Sequence, residues 1–209
     1  MTNSAPGRFF VLSAPSGSGK TTVLRGLLAR RPEVVYSVSF TTRAPRPGEI
    51  DGRDYNFVTE ARFRAMIGAG DFLEWAEVYG CFYGTGRPWV EARLRAGQRI
   101  LADLDVKGGA SVRAFMPEAV LIFMAPPSAG ELWRRLAGRR TEPARELERR
   151  LAETRAEIAA SHIYDFLLIN DRLEEAVNGL EEIVFQGRGW PMAEAEPFRR
   201  SFFNDQEPQ

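Results

Sequence analysis

The segment RFFVLSAPSGSGKTT, residues 8–22, decides the fold because it joins a short apolar run to a glycine-rich turn. The apolar run at 8–13 is typical of a buried parallel strand. The following segment, TTVLRGLLARR at 21–31, repeats its apolar residues at helical spacing. We therefore predict a strand, a tight turn and a helix, which is the local structure of a phosphate-binding loop.

The turn APSGSGKTT at 14–22 carries the groups that such a loop needs. Gly17 and Gly19 allow backbone N–H groups to face inward, and Lys20 can reach the outer phosphates. The Thr21 hydroxyl can bind Mg²⁺. Ala14 replaces the first glycine of the pattern GxxxxGK[ST], so a plain glycine-rich turn is the alternative, but the strand–turn–helix context favours a phosphate site. The predicted loop residues are Ala14, Pro15, Ser16, Gly17, Ser18, Gly19, Lys20, Thr21 and Thr22.

Two acids, Asp103 and Asp105, end the predicted strand RILADLD at 99–105. Phosphate-loop enzymes commonly hold magnesium through an acid at the end of a strand. The alternative is that one acid caps the helix that follows. Both roles are compatible with the sequence, one for each acid.

Strands alternate with helices along the chain, which predicts an α/β fold with a parallel sheet covered by helices. The further core strands are predicted at 34–39, 99–105, 119–125 and 166–170. A smaller and more polar insert is predicted to contain strands at 55–58 and 71–78. Beyond Gly189 the composition becomes irregular, so residues 191–209 are predicted to form a poorly ordered tail.

The composition restricts the classes of partner. The chain has 209 residues, and 28 Lys and Arg balance 28 Asp and Glu. Polymer nucleic acid is therefore not an expected partner, because its binding usually needs a basic excess. The sequence has a single cysteine, Cys81, and a single histidine, His162, which excludes an intrachain disulfide and a thiolate zinc site. With no evident leader or membrane-length apolar run, we expect a cytoplasmic protein without a membrane partner, and a homo-oligomer is left open.

The segment SVSFTTRAPRPGE at 37–49 has no apolar period, so neither a core strand nor a core helix accounts for it. Arg43 and Arg46 are separated by a proline, and two guanidinium groups can bind one phosphate through bidentate hydrogen bonds. A solvated connection is the alternative. Its place after a phosphate loop favours a second phosphate site.

These motifs resemble those of the guanylate kinase family: SAPSGSGKTT, SVSFTTRAPRPGEIDGRDYNFV, FLEWAEVYGCFYGT, ILADLDVKG, FMAPPS, LAGRRTE and INDRL, within about residues 8–187. The resemblance implies a P-loop NTPase-like parallel sheet, a small mixed α/β GMP-binding insert and a helical lid. The implied domain covers 8–190, with its core at about 8–34, 98–125 and 160–187, its insert at about 36–97 and its lid at about 134–158. It also implies Mg²⁺-dependent transfer of the ATP γ-phosphoryl group to GMP or dGMP in purine metabolism.

The resemblance also implies roles for particular residues. The GMP-binding residues would be Ser39, Arg43, Arg46, Tyr55, Glu74, Tyr83, Thr85 and Asp105. Arg135 and Asn170 would join the loop residues in binding ATP. The catalytic residues would be Lys20, Arg43, Arg139 and Arg150, and the magnesium ligands Thr21 and Asp103. Arg140 occupies a position that is often glycine, which leaves open which lid arginine reaches the phosphates.

Alternatives remain for the lid and for the whole chain. Glu146 and Arg150 have the i,i+4 spacing of a pair that merely solubilises a helix. Trp75 is expected to be a core aromatic residue. A catalytically silent guanylate-kinase-like binding module typically lacks the phosphate loop that this chain retains, and a related sugar-phosphate kinase would not need residues that read guanine.

Overall fold

The computed structural model describes residues 6–137 and 144–204. The chain forms two compact units. The first unit contains the described residues up to Phe10 together with Glu33–Asp103 and Lys107–Ala119. The second contains Val11–Pro32, Leu104–Val106 and the described residues from Val120 onward. Within the described part of the chain, every helix is too short or too polar to cross a membrane.

The strands are β1 (Arg8–Ser13), β2 (Val34–Ser37), β3 (Phe40–Thr41), β4 (Asn56–Phe57), β5 (Phe72–Val78), β6 (Cys81–Gly86), β7 (Arg99–Asp103), β8 (Val120–Ala125), β9 (Phe166–Ile169) and β10 (Trp190–Pro191). The helices are α1 (Lys20–Arg30), α2 (Glu60–Ala69), α3 (Arg87–Arg95), α4 (Val106–Phe115), α5 (Ala129–Ala137), α6 (Ala144–Ala160), α7 (Leu173–Gln186) and α8 (Glu196–Asn204). Short 3-10 turns lie at Ser161–Ile163 and Met192–Glu194.

The strands form a six-stranded sheet in the order β10-β9-β8-β1-β7-β2 and a four-stranded sheet in the order β4-β3-β6-β5. β2 runs parallel to β7, with Val34 beside Arg99, and β8 runs parallel to β9, with Ile122 beside Phe166. The predicted α/β class with a parallel sheet is confirmed. The exception is β10, which pairs with β9 in the antiparallel direction.

The first unit contains the four-stranded sheet and helix α2, whose Phe63 side chain is fully buried. The Phe63 ring stacks on Phe72 at 4.4 Å and on Phe82 at 5.4 Å between ring centroids. Strand β6 was not predicted because its sequence, CFYGTG, contains two glycines. A Cβ atom at Gly84 would lie 2.9 Å from the Phe72 ring, so this strand uses glycine to admit an aromatic core.

The second unit has its core around β8, where Leu121, Ile122, Phe123 and Met124 are fully buried. Such a continuous apolar run is typical of a strand that is covered on both faces. Helices α1 and α7 pack closely, since a Cβ atom at Gly26 would lie 2.7 Å from a methyl group of Val177. This unit carries the turn between β1 and α1.

Residues 191–209 were predicted to form a poorly ordered tail, but the described residues 190–204 contain regular structure. These residues form β10, a 3-10 turn and α8, and they bury Met192, Ala195 and Phe202. The apolar residues are widely spaced among charged ones, so the sequence shows no continuous pattern that would reveal their burial. Trp75 is also not a core residue, because 45% of it is exposed. The division into core, insert and lid stays a prediction.

Candidate active site

The turn between β1 and α1 is shaped by two glycines and held by one side chain. Gly17 and Gly19 both have φ of 85°, in the left-handed region that other residues rarely adopt. The Nδ2 group of Asn170, the residue after β9, donates a hydrogen bond to the backbone oxygen of Ser18 at 2.6 Å. A Cβ atom at Gly19 would lie 2.6 Å from the same Nδ2 atom. The loop conformation therefore depends on glycine at position 19 and on the buried Asn170 amide.

The N-terminus of α1 is open to an anion. Its N-cap residue, Gly19, provides no side-chain hydrogen bond, and no acidic residue lies in the first turn. The partial positive charge of the helix end is therefore not offset by the helix itself. Lys20, the first residue of α1, donates from Nζ to the backbone oxygen of Leu104 at 3.2 Å, which holds the ammonium group beside the loop. The next residue, Thr21, is exposed.

Several polar and ionisable side chains of the second unit interact with one another, and one of them, Glu157, interacts electrostatically with Lys20. Ser13 donates from its hydroxyl group to the backbone oxygen of Asp105 at 3.3 Å. Burial is the main cause that raises the pKa of the Glu157 carboxyl to about 7; the charge of Asp105 adds to this rise, and Lys20 opposes it. Burial also raises the pKa of the Tyr164 hydroxyl above its ordinary value, with the charges of Asp105 and Glu157 adding to the effect.

The two acids at the end of β7 and just after it, Asp103 and Asp105, belong to different units. Asp105 lies in the second unit with Lys20, and its charge raises the pKa of Glu157. Asp103 lies in the first unit, where its charge helps burial to raise the pKa of Tyr55. The roles implied by resemblance, magnesium for Asp103 and guanine for Asp105, stay predictions. No three His, Cys, Asp or Glu side chains of the described residues come together as a metal site.

The loop after β3, residues 42–49 and hereafter the arginine loop, is organised by an acid. The Nη2 group of Arg43 donates to Oε1 of Glu49 at 2.9 Å, and the backbone N–H of Arg46 donates to Oε2 of Glu49 at 2.8 Å. Arg43 also donates from Nη1 to the backbone oxygen of Ala44 at 2.7 Å. The hydrogen bond to Glu49 raises the pKa of Arg43 and lowers the pKa of Glu49. The guanidinium group is therefore fixed in one direction and remains charged.

Two tyrosines complete this cluster. The guanidinium carbon of Arg43 lies 5.3 Å from the centroid of the Tyr55 ring, and the Tyr55 and Tyr83 rings lie 6.0 Å apart. A hydrogen bond with Tyr83 adds to the rise in the pKa of Arg43. A guanidinium group and two phenol groups in one cluster can donate several hydrogen bonds to a phosphate.

A buried carboxylate lies on the sheet of the same unit. Glu74 on β5 pairs with Thr85 on β6, and the Thr85 hydroxyl donates to Oε1 of Glu74 at 2.6 Å. Glu74 is 8% exposed and Thr85 is fully buried. A carboxylate can accept about four hydrogen bonds, so a buried carboxylate is a suitable acceptor for N–H donors of a ligand. Ser39 is half-buried, and its backbone oxygen accepts a hydrogen bond from the N–H of Asn56 at 2.8 Å.

The predicted lid residues are only partly described. Arg139 lies outside the described residues. Arg135 on α5 donates from Nε to Oε1 of Glu131 at 2.7 Å, an i,i+4 pair. Arg150 lies half-buried on α6.

Two residues of these clusters were missed by sequence reasoning. Glu49 ends the segment RPGE, in which Pro-Gly at the centre is the signature of a type II turn. That turn is present, since the N–H of Glu49 donates to the oxygen of Arg46 at 3.0 Å and Gly48 has φ of 87°. This turn signal could therefore have predicted that the chain folds back so that Glu49 lies beside Arg43 and Arg46. Glu157 gives no such signal, because it is one of several glutamates on α6.

Comparison with known proteins agrees with this geometry. The family model described as "Guanylate kinase" matches residues 6–187. A guanylate kinase from Dechloromonas aromatica is 48% identical over 178 residues, covering 85% of this chain and 88% of the relative. A guanylate kinase from Nocardia farcinica is 51% identical over 176 residues, covering 83% of this chain and 91% of the relative.

Comparison with solved structures also finds a guanylate kinase. The crystal structure of guanylate kinase from Anaplasma phagocytophilum matches with a TM-score of 0.71 and 35% identity, covering 88% of this chain and 87% of that one. The family match spans the phosphate loop, the arginine loop and the Glu74–Thr85 pair. The chain belongs to the guanylate kinase family.

Proposed function

We propose that this protein transfers the γ-phosphoryl group of ATP to GMP or dGMP, giving ADP and GDP or dGDP. The observation that carries the choice of base is the buried Glu74 carboxylate, which is oriented by Thr85 at 2.6 Å. Guanine presents N1–H and N2–H donors that a carboxylate can accept. Adenine presents a lone pair at N1, which such a carboxylate would repel. The nucleotide substrates fit the cytoplasmic location expected from the sequence.

The ATP phosphates would bind at the phosphate loop. Its backbone N–H groups and the open N-terminus of α1 would face the anion, and the Lys20 ammonium would exchange the Leu104 oxygen for phosphate oxygens. Asn170 would act chiefly by holding the loop, because its amide donates to the Ser18 backbone. Arg135 lies on the helix after β8 and would approach the same nucleotide.

The residues of the phosphate loop fit Mg²⁺. Thr21 follows Lys20 directly and is exposed, so its hydroxyl is accessible to an ion at the phosphates. Mg²⁺ usually takes few protein ligands and completes its octahedron with water and phosphate oxygens. We infer that Thr21 would hold the ion, with Asp103 as the acid proposed to act through water. When bound, Mg²⁺ supplies charge neutralisation at the phosphate oxygens.

The acceptor needs no general base. A phosphate monoester has its second pKa near ~6 and is therefore mostly a dianion at neutral pH. The protein's task is to hold that dianion in line with the γ-phosphoryl group, and we assign it to Arg43, Arg46, Tyr55 and Tyr83. His162 follows α6 and contacts the backbone oxygen of Ala159, so it has no place in this chemistry.

The charge that develops at the transferring group needs cations from the protein. We assign this role to Lys20 and the lid arginines Arg139 and Arg150. Water would compete with GMP for the γ-phosphoryl group, so an arrangement that brings these arginines in only with both substrates would suppress ATP hydrolysis.

A coupled assay of ADP release tests the proposal, with GMP, dGMP, AMP, CMP and UMP as acceptors. We expect GMP and dGMP to support turnover and AMP to support scarcely any, since unpaired buried polar groups can reject a wrong ligand by about 10⁴-fold. The double variant Glu74→Gln with Ser39→Ala should reduce the GMP-to-AMP ratio of kcat/KM by at least about tenfold.

Glu77→Gln is the matched control, because Glu77 lies on the same strand but is exposed. It should keep the wild-type ratio. Equal use of AMP by the wild-type protein would contradict the proposed substrate, and an unchanged ratio in the double variant would remove Glu74 and Ser39 from base recognition.

A further inference from the structure

The C-terminal end of α6 is held by a side chain that lies beyond the residues of the family match. Arg199 on α8 donates from Nη2 to the backbone oxygen of Ala159 at 3.3 Å. Ala159 belongs to the last turn of α6, which contains no basic residue of its own. The last carbonyl groups of a helix lack partners within it and carry partial negative charge. Arg199 therefore supplies from α8 the cation that the last turn of α6 lacks.

Local groups complete the same helix end. The Ser161 hydroxyl donates to the backbone oxygen of Ile158 at 2.7 Å, and Nδ1 of His162 lies 3.2 Å from the oxygen of Ala159. These two side chains follow α6 directly in sequence. Arg199 is the distant member of the group, and its charge is permanent.

The position of Arg199 is fixed by contacts that the segment 190–204 makes with the rest of the second unit. The backbone N–H of Met192 donates to the oxygen of Asp165 at 2.9 Å, and β10 adds to the edge of β9. Met192 is 4% exposed and Phe202 is 2% exposed, so the segment is anchored on both sides of Arg199. Nη1 of Arg199 lies 3.4 Å from Oε2 of Glu196 one turn earlier, which restricts the guanidinium group further.

Helix α6 carries groups that bear on the phosphate chemistry. Its C-terminal half is fixed by the buried residues Thr154 and Ile158, and Glu157 between them interacts electrostatically with Lys20. Arg150 lies ten residues before the last residue of α6, or about 15 Å along the axis. Because a helix of this length is stiff, a shift at its C-terminal end moves Arg150 as well.

We propose that Arg199 is a positioning residue, which sets the place of Arg150 by holding the C-terminal end of α6. This inference rests on the proposed function through the role given to Arg150 in phosphoryl transfer. It assigns a purpose to the C-terminal segment 190–204, which lies outside the part of the chain that the family model matches. Loss of the contact should weaken transition-state stabilisation more than it weakens GMP binding, because the proposed phosphate ligands of GMP lie on other elements.

The test compares Arg199→Ala and Arg199→Lys with the control Arg200→Ala in the full-length protein. Arg200 lies on the same helix and pairs with the same Glu196, but its side chain is 77% exposed. We expect Arg199→Ala to lower kcat about tenfold with the KM for GMP changed less than about twofold. Arg199→Lys should restore much of the kcat, and Arg200→Ala should behave like wild type.

Amide hydrogen exchange provides a readout that does not depend on turnover. Residues 155–160 should exchange at least about fivefold faster in Arg199→Ala than in wild type, and Arg200→Ala should show no change. All kinetics are to be run well below the midpoint of thermal unfolding of each variant. If Arg199→Ala does not fold, the kcat and exchange rates of Arg199→Lys and Arg199→Gln are compared with those of wild type instead.

The outcomes separate the two proposals. Unchanged kcat in Arg199→Ala, or an equal fall in Arg200→Ala, would overturn the positioning role. A fall in kcat without faster exchange at the end of α6 would also overturn it. A wild-type protein that does not phosphorylate GMP would overturn the proposed function, whereas the exchange measurement would still decide whether Arg199 holds α6.

Discussion

The phosphate loop and the arginine loop use different parts of the chain to present groups to an anion. In the phosphate loop the backbone does this, with Gly17 and Gly19 at φ of 85° and the Asn170 amide bonded to the Ser18 oxygen. In the arginine loop side chains present the groups, and the Nη2 group of Arg43 is held by a hydrogen bond to Oε1 of Glu49 at 2.9 Å. The first loop is fixed by stereochemistry and the second by an ion pair.

This difference has consequences for substitution. A backbone site tolerates almost no added atom where a ligand or a neighbour approaches closely. A side-chain site tolerates changes of shape in the loop but depends on each charge that orients its ligands. Substitutions in the two loops should therefore impair the protein in different ways.

The largest effect is expected for Lys20→Ala. Removal of the ammonium should lower kcat by at least about 10³-fold, because little else in the loop neutralises the transferring group. The KM for GMP should change less than about twofold. Steady-state kinetics with both substrates varied will measure this. Lys107→Ala is the control, since Lys107 is an exposed lysine at the start of α4. Near-normal turnover of Lys20→Ala would contradict the assignment of the phosphate loop.

A comparison of Gly19→Ala with Gly48→Ala tests the difference between the loops directly. Both glycines have positive φ, 85° and 87°, so both substitutions strain the backbone by about 1–2 kcal/mol. At Gly19 the new Cβ would also lie 2.6 Å from Nδ2 of Asn170, whereas at Gly48 nothing lies within 4 Å. We expect Gly19→Ala to lower kcat/KM for ATP about 10²-fold and Gly48→Ala to leave it near wild type.

Urea unfolding of both variants supplies the control for the glycine comparison. Gly48→Ala should lose about 1 kcal/mol of unfolding free energy, which shows that the strain is present even though activity is kept. Similar losses of kcat/KM in the two variants would mean that backbone strain, rather than crowding at Asn170, governs the phosphate loop.

Glu49→Gln should act on the other loop and have a smaller effect. The amide keeps the shape of the side chain but removes the charge that orients Arg43, so the KM for GMP should rise about tenfold with kcat within about threefold. Glu60→Gln is the control, because Glu60 forms an exposed i,i+4 pair with Arg64. The KM for ATP should stay unchanged in both variants. An equal rise in the KM for ATP would show that Glu49 acts on general stability.

Sequence reasoning succeeded where local chemistry determines local structure. The strand at 8–13, the following turn and the helix from Lys20 are all present, because apolar periodicity and glycine positions encode them. Ser128 and Glu131 have the spacing of a capping box in the sequence, and the Ser128 hydroxyl does accept a hydrogen bond from the N–H of Glu131 at 3.2 Å, at the start of α5.

It failed where tertiary contacts override local signals. In strand β6 a Cβ atom at Gly84 would lie 2.9 Å from the Phe72 ring, and one at Gly86 would lie 2.9 Å from the Phe40 ring. The need for glycine therefore comes from tertiary contacts with other segments of the chain, which the local sequence does not reveal. The segment 190–204 is anchored by the buried side chains of Met192 and Phe202. No apolar periodicity in the sequence predicts this burial. No sequence signal indicated that Asn170 donates a hydrogen bond to the loop backbone at Ser18, and its role in binding ATP stays a prediction.

The smallest predicted effect concerns stability rather than turnover. It tests whether Glu157, which interacts electrostatically with Lys20, is uncharged in the folded protein. Burial raises the pKa of Glu157 from an ordinary value of 4.5 to about 7. Between these two values the folded protein holds a proton that the unfolded chain has lost. The resulting stabilisation is complete below the unfolded pKa and is lost as the pH rises through about 7.

Glu157→Gln should remove this dependence. Unfolding free energies from urea titrations at several pH values between about 5 and 8 should fall more steeply for wild type than for the variant. The difference in slope cannot exceed about 1.4 kcal/mol per pH unit, the value for one proton, and partial exposure of Glu157 reduces it. Glu175→Gln, at an exposed position on α7, should keep the wild-type slope. Parallel curves for wild type and Glu157→Gln would mean that Glu157 is ionised in the folded protein, so that the charge on Lys20 faces a carboxylate and not a neutral acid.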